Sequence, residues 1–266
     1  MTNQTKQMKK VGIFDSGIGG LSVAKSVLDS KIFEQAIYYG DTARVPYGVK
    51  DCETIVRFAL ECLDFFAPHN IDMLLVACNT VSAYALETMQ KKASFPIVGV
   101  IEAGVKACIN ALPNKDSTTL IIGTKATIAS KQYEKLLAKA GFARFVSKDT
   151  GLFVPLVEEG LYEGRGEVVL DSALKFYLEE FLDSPALGGQ APQAIILGCT
   201  HFPLITKQID RFFGGQSVLI HSGDAIVELL ESNFHLRKDS FPKTNIDFYA
   251  SSDIDGLKKK ATIWLQ

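Results

Sequence analysis

At 266 residues and 47% hydrophobic, the chain has enough apolar surface to bury a sizeable core, as one large domain or two small ones. Its 28 basic and 30 acidic residues are well mixed and sum to −2, which leaves no basic footprint for nucleic acid or an anionic membrane, so a small molecule is the expected partner. The longest apolar stretches, 73–78 and 194–199, fall far short of the roughly 20 residues that a membrane span requires.

Residues 1–10 read as a solvated arm. Only residues 11–14 are apolar before Asp15, too few for the core of about 7–15 residues in a secretory signal, and a cytoplasmic location is expected. Short apolar runs then alternate with amphipathic segments. Strands are predicted over 11–14, 37–39, 73–77, 97–101, 120–123, 195–198 and 218–220, mostly buried on both faces, with a last one over 246–250. Helices are predicted over 20–30, 51–66, 80–92, 102–112, 131–140, 167–182, 225–233 and 256–265, with Asp51 and Asp224 at N-cap positions. Turn-rich stretches at 112–116 and 184–189 mark surface loops. The alternation predicts an α/β fold with mainly parallel sheets.

One pattern occurs twice. Met73-Leu74-Leu75-Val76-Ala77-Cys78-Asn79-Thr80 and Ala194-Ile195-Ile196-Leu197-Gly198-Cys199-Thr200-His201 each run from an apolar strand through a small residue to a cysteine and then to polar side chains. The copies are distant rather than tandem, so they mark equivalent strands of two related α/β halves and not a solenoid. The expected division is residues 1–100, completed by about 222–266, and a second domain over about 101–221. Cys52, Cys62 and Cys108 fall in helical patterns and are expected to be small buried side chains. A total of five cysteines without Cys-x-x-Cys spacing predicts free thiols.

In parallel α/β sheets, ligands gather at the carboxyl ends of the strands. Cys78, Cys199, Asp15-Ser16-Gly17 and Thr124-Lys125-Ala126-Thr127 all occupy such ends and form one polar pocket if the halves face each other. Asp15-Ser16-Gly17-Ile18-Gly19-Gly20 lacks both the Gly-x-Gly-x-x-Gly spacing and a Gly-Lys-Ser/Thr ending, which argues against a nucleotide. Its glycines either let the turn pack or present backbone N–H groups to a carboxylate.

Three readings of the cysteines stand side by side. Cys78, Cys199, His201 and Asp15 are suitable zinc ligands by type, but no local ligand spacing supports a metal. A single Cys–His nucleophile built on His201 would leave the other cysteine unexplained. Two thiols facing each other across a substrate suit removal of a proton from one face of a carbon and delivery of another to the opposite face, which is racemisation. An unperturbed thiol of pKa about 8.5 is only a few per cent ionised at pH 7, so each needs a neighbour to manage its proton: Asp15 on one side, His201 on the other.

With these residues in view, the chain resembles the glutamate racemases, cofactor-independent members of the aspartate/glutamate racemase superfamily. The resemblance runs from Val11 nearly to the C-terminus through Phe14-Asp15-Ser16-Gly17-Ile18-Gly19-Gly20, Tyr39-Gly40-Asp41, Val45-Pro46-Tyr47-Gly48, Ala77-Cys78-Asn79-Thr80, Gly123-Thr124-Lys125-Ala126-Thr127 and Leu197-Gly198-Cys199-Thr200-His201-Phe202-Pro203-Leu204. It implies two pseudo-symmetric α/β domains with the active site at their interface, and conversion of L-glutamate to the D-glutamate of bacterial peptidoglycan. It further implies that Cys78 takes the α-proton from D-glutamate with help from Asp15, and that Cys199 takes it from L-glutamate with help from Glu158 and His201. Ser16, Pro46, Tyr47, Gly48, Asn79, Thr80, Thr124, Thr127 and Thr200, together with Asp15 and His201, would line the substrate pocket. No cofactor, no metal and a homodimer are expected, with no nucleic-acid or membrane partner.

One departure stands out: Thr150-Gly151-Leu152 precedes Phe153-Val154-Pro155-Leu156-Val157-Glu158 where many members carry a Cys-Pro pair, and Glu159 adjoins Glu158. The motif loops hold no obvious arginine clamp for two carboxylates; Arg44 and Lys125 are nearby in sequence and could equally point to solvent. An aspartate racemase and an amino-acid-binding regulator are the alternatives.

Overall fold

The computed structural model describes residues 8–266. The chain forms two parallel sheets, each covered by helices on both faces. The first contains β1 (Lys10–Asp15), β2 (Gln35–Gly40), β3 (Met73–Val76), β4 (Ile97–Gly99) and, added from far along the chain, β9 (Asn245–Ala250), in the order β4-β3-β1-β2-β9. The second contains β5 (Thr119–Gly123), β6 (Phe145–Asp149), β7 (Ala194–Gly198) and β8 (Val218–Ile220), in the order β6-β5-β7-β8. Read from β8, the second sheet runs 8-7-5-6, which repeats the 4-3-1-2 order of the first. The two cysteine-ended strands, β3 and β7, therefore occupy the same place in their sheets.

The helices are α1 (Leu21–Ser30), α2 (Cys52–Phe66), α3 (Asn79–Tyr84), α4 (Leu86–Lys92), α5 (Val100–Ala111), α6 (Lys125–Ser130), α7 (Gln132–Lys139), α8 (Phe153–Glu158), α9 (Glu167–Leu178), α10 (Thr206–Phe212), α11 (Ser222–Phe234) and α12 (Ile254–Trp264). Among the described residues no helix is long and apolar enough to cross a membrane.

The strands are apolar without alternation because both faces are buried. Met73 and Leu75 of β3, Val11 and Ile13 of β1, Leu120 and Ile122 of β5, and Ile195 and Leu197 of β7 all enter one core cluster. The intervening residues point the other way, Phe14, Leu74 and Val76 into a cluster beneath α2 and α4, and Ile121, Ala194 and Ile196 into one beneath α5 and α7. Each of the larger of these side chains contributes roughly 1.5–3 kcal/mol on full burial, so both faces of the central strands are held firmly.

Several expectations are corrected. The strand predicted over 97–101 ends at Gly99, and Val100 and Ile101 open α5, because an apolar run cannot by itself separate a buried strand from a buried helix start. The helix predicted over 80–92 is two helices that meet at Ala85. The helix over 167–182 ends at Leu178 and tightens into a 3₁₀ turn. Asp51 caps α2 as expected, accepting from Thr54 N at 2.9 Å, whereas Asp224 lies inside α11 and accepts from Ser26 Oγ at 2.8 Å. Cys62 and Cys108 are buried and Cys52 is exposed, all as free thiols. The arm expected over 1–10 lies largely outside the described residues, and Lys10 already belongs to β1.

Candidate active site

Ser16 after β1, Cys78 after β3, Thr124 after β5 and Cys199 after β7 all line one cavity of about 350 Å³. Strand polarity accounts for this: in a parallel sheet every carboxyl end lies on one edge, and here the two edges share one cleft.

On the first sheet's side, Cys78 Sγ donates to Ser16 Oγ at 3.3 Å. Burial, and then the charge of Asp15, push the Cys78 thiol up to about 12. Asp15 itself does not line the cavity. It lies behind Ser16, 1% exposed, with Oδ2 accepting from Gly17 N at 2.9 Å, and its burial raises its own pKa against the pull of His201 and the backbone donors. The loop leaves no room for side chains: a Cβ at Gly20 would come within 2.5 Å of Asp15 Cβ, and one at Gly19 within 2.5 Å of the His201 ring.

On the second sheet's side three residues stand in line. His201 Nδ1 is 3.7 Å from Cys199 Sγ, and His201 Nε2 is 2.9 Å from Glu158 Oε1. Burial pulls the imidazole down, but the hydrogen bonds to Cys199 and Glu158 outweigh it and raise His201 to about 10. The hydrogen bond to His201 in turn lowers Glu158. Of the adjacent acids, Glu158 ends α8 facing His201, while Glu159 is exposed.

Between the two sides runs a wall of hydroxyls. Thr80 Oγ1 lies 3.0 Å from Thr124 Oγ1 and 3.2 Å from Thr127 Oγ1, and Thr124 and Thr127 are 3.0 Å apart, closing a triangle. Thr124 also caps α6, accepting from Thr127 N. Tyr133 OH donates to Asn79 Oδ1 at 2.6 Å and so ties α7 to the start of α3. At the mouth, Pro46, Tyr47 and Gly48 face the cavity after a cis Val45–Pro46 peptide. Tyr47 is anchored from behind by buried Asp41, which also holds Arg44 Nε at 2.6 Å.

Thus Cys78, Cys199, His201, Glu158, Ser16, Pro46, Tyr47, Gly48, Asn79, Thr80, Thr124 and Thr200 share the cavity, and only Asp15 and Thr127 of the expected residues stand behind its wall. Arg44 turns away to Asp41 and Glu61, whereas Lys125 lines the cavity. Sequence reasoning missed Val45 and Val49 at the mouth, and Gly151, Val154 and Pro155 leading to Glu158. Val154 and Pro155 carried a usable signal, since they lie four and three residues before Glu158 and share its face of one helix.

The Asp/Glu/Hydantoin racemase family model matches residues 22–230. The curated glutamate racemase of Campylobacter jejuni is 51% identical over 96% of this chain and 98% of its own length. A crystal structure of glutamate racemase from the same species superposes with a TM-score of 0.89 at 51% identity, covering 96% of this chain and 98% of that one. The glutamate racemase of Francisella tularensis in complex with D-glutamate gives a TM-score of 0.79 at 33% identity, covering 98% and 94%. Matched along nearly its whole length in sequence and fold, the chain is an isomerase that belongs to the Asp/Glu/Hydantoin racemase family, among the glutamate racemases.

Proposed function

We propose that the chain interconverts L- and D-glutamate by two-base proton transfer, with Cys78 and Cys199 each serving one face of the α-carbon, without a cofactor, and so supplies D-glutamate for peptidoglycan. The observation that carries the reading is that two thiols from equivalent strands of different sheets line one cavity, each with its own proton partner. The two sheets are taken as the cores of two lobes, one up to residue 100 completed by 222–266, the other over 101–221, with the substrate in their cleft.

In the L-to-D direction Cys199 takes the α-proton and Cys78 delivers another to the opposite face. A Cys78 thiol pushed up to about 12 keeps its proton at neutral pH, as a donor must. His201, raised by Cys199 and Glu158, holds positive charge beside Cys199 Sγ. In the other direction the thiols exchange roles, and Asp15 and Ser16 manage the proton on Cys78. Hydroxyls of Thr80, Thr124 and Thr200 with backbone N–H groups hold the carboxylates, with Lys125 at the wall. A site that grips by hydroxyls and shape disfavours aspartate, one methylene shorter, by roughly 1–3 kcal/mol of transition-state binding.

The test is racemisation of L-glutamate in heavy water by dialysed protein. Two bases put deuterium into D-glutamate from the first turnovers and leave residual L-glutamate nearly unlabelled. A single shuttling base either returns the original proton or labels both enantiomers together, and equal early label in both would overturn the reading.

A further inference from the structure

α12 is the last helix packed against the first sheet's layer, yet it ends on the Cys199 side of the cavity. Lys260 Nζ donates to the main-chain carbonyl of Glu158 at 2.7 Å. That carbonyl closes α8, where a helix leaves its last oxygens without intrahelical donors. One turn further along α12, Trp264 meets the His201 ring edge-on, with centroids 5.9 Å apart and planes at 83°. The Lys260 ammonium also stands 6.0 Å from the Trp264 ring centroid, so the two side chains form one unit. Trp264 is only 7% exposed, and neither residue lines the cavity.

These contacts fall on the two groups behind Cys199 and on nothing behind Cys78. Lys260 fixes the backbone from which the Glu158 carboxylate reaches His201 Nε2 at 2.9 Å, and Trp264 limits how the imidazole tilts toward Cys199 Sγ, 3.7 Å from Nδ1. At that separation a small rotation of the ring makes or breaks the contact with sulfur. A lysine placed on an exposed helix only for solubility would be solvated, whereas this one spends its hydrogen bond on a half-buried carbonyl 102 positions away in sequence.

We propose that Lys260 and Trp264 are positioning residues for the Cys199 half-reaction: they hold Glu158 and His201 in register with that thiol and leave the Cys78 half-reaction alone. The inference rests on the two-thiol reading above. It makes the last helix of one lobe a working part of the base that belongs to the other.

The test uses the full chain with Lys260→Met, Lys260→Arg and Trp264→Phe. The readout is the primary isotope effect on kcat/KM, taken separately with α-deuterated L-glutamate and α-deuterated D-glutamate. Lys260→Met is expected to lower kcat/KM about tenfold in both directions, as a fixed equilibrium between enantiomers demands, with KM changed less than twofold. The split carries the proposal: the isotope effect should rise with L-glutamate, where Cys199 breaks the C–H bond, and fall with D-glutamate, where Cys199 acts second. Lys260→Arg, which keeps the donor, should restore the rate to within twofold, and Trp264→Phe should shift the same split less. Wild-type isotope effects in Lys260→Met, or equal changes for both enantiomers that track a fall in melting temperature, would overturn it. Wild-type protein that does not racemise glutamate, or that labels both enantiomers equally in heavy water, would instead overturn the two-thiol reading itself.

Discussion

The Cys78 thiol donates to Ser16 Oγ at 3.3 Å, while the carboxylate one residue earlier, Asp15, turns back onto Gly17 N–H at 2.9 Å. The charge of Asp15 therefore acts on the sulfur across the Ser16 layer, and the hydrogen-bond partner of the thiol is the serine.

These two influences separate by substitution. Ser16→Ala removes the acceptor and is expected to lower kcat/KM by about ten- to a hundredfold, with the larger isotope effect appearing on α-deuterated D-glutamate. Asp15→Asn removes a charge that pushes the Cys78 thiol up, so the pH midpoint of Cys78 alkylation by iodoacetamide, followed by peptide mass spectrometry, should move down. An unchanged midpoint would mean that the carboxylate does not influence the sulfur.

Glu158→Gln tests the other side. With the carboxylate gone, burial acts on the imidazole with one opposing partner fewer, so the His201 pKa should fall from about 10 by a unit or more toward the ordinary value near 6.5. Titration of the His201 Hε1 proton resonance reads this directly, and Glu159→Gln is the control that should leave it in place.

Stability should carry the same signature. A histidine whose folded pKa is raised contributes stability that is fully present below its unfolded pKa of about 6.5 and is lost as pH climbs through about 10. Cys78, raised to about 12, adds a decline of the same sign above its unfolded value of roughly 8.5–9. Urea midpoints should therefore fall from pH 6.5 to pH 10 in wild-type protein, and Glu158→Gln should flatten the His201 part of that slope. A midpoint that rises with pH over this range would contradict the assignment.

Two glycines should respond in opposite ways. A methyl group on Gly19 would come within 2.5 Å of the His201 ring and closer still to Thr200 Oγ1, whereas one on Gly151 meets nothing within 4 Å. Gly19→Ala is expected to cost at least a hundredfold in kcat/KM by forcing the Ser16 loop away from the Cys199 strand end. Gly151→Ala should stay within about threefold of wild type, although Gly151 lines the cavity.

The legible parts of the sequence were those where one physical requirement dominates. Strands buried on both faces announce themselves as short apolar runs, so β1, β3, β5 and β7 and the cysteines that end two of them could be placed without coordinates. β6 was missed because Phe145-Val146-Ser147-Lys148-Asp149 is a half-buried edge strand with polar residues, and α6 because six residues behind a Thr124 cap carry too little periodicity. Within the site, residue types foretold the thiols and hydroxyls, and the resemblance supplied Glu158. Nothing in one dimension foretold that Lys260 and Trp264 would fold back onto Glu158 and His201, or that Asp15 would sit behind Ser16, because such contacts are set by how layers pack.

The triangle of Thr80, Thr124 and Thr127 bears on a demand of the proposed chemistry, which is to admit two mirror-image molecules to one cavity. Each hydroxyl donates one hydrogen and accepts others, so the ring can pass its hydrogens clockwise or anticlockwise without displacing a heavy atom. In the proposed reaction Thr80 and Thr124, which face the cavity, would turn a donor toward the carboxylate of either enantiomer at the cost of a bond rotation, with Thr127 behind them taking up the change.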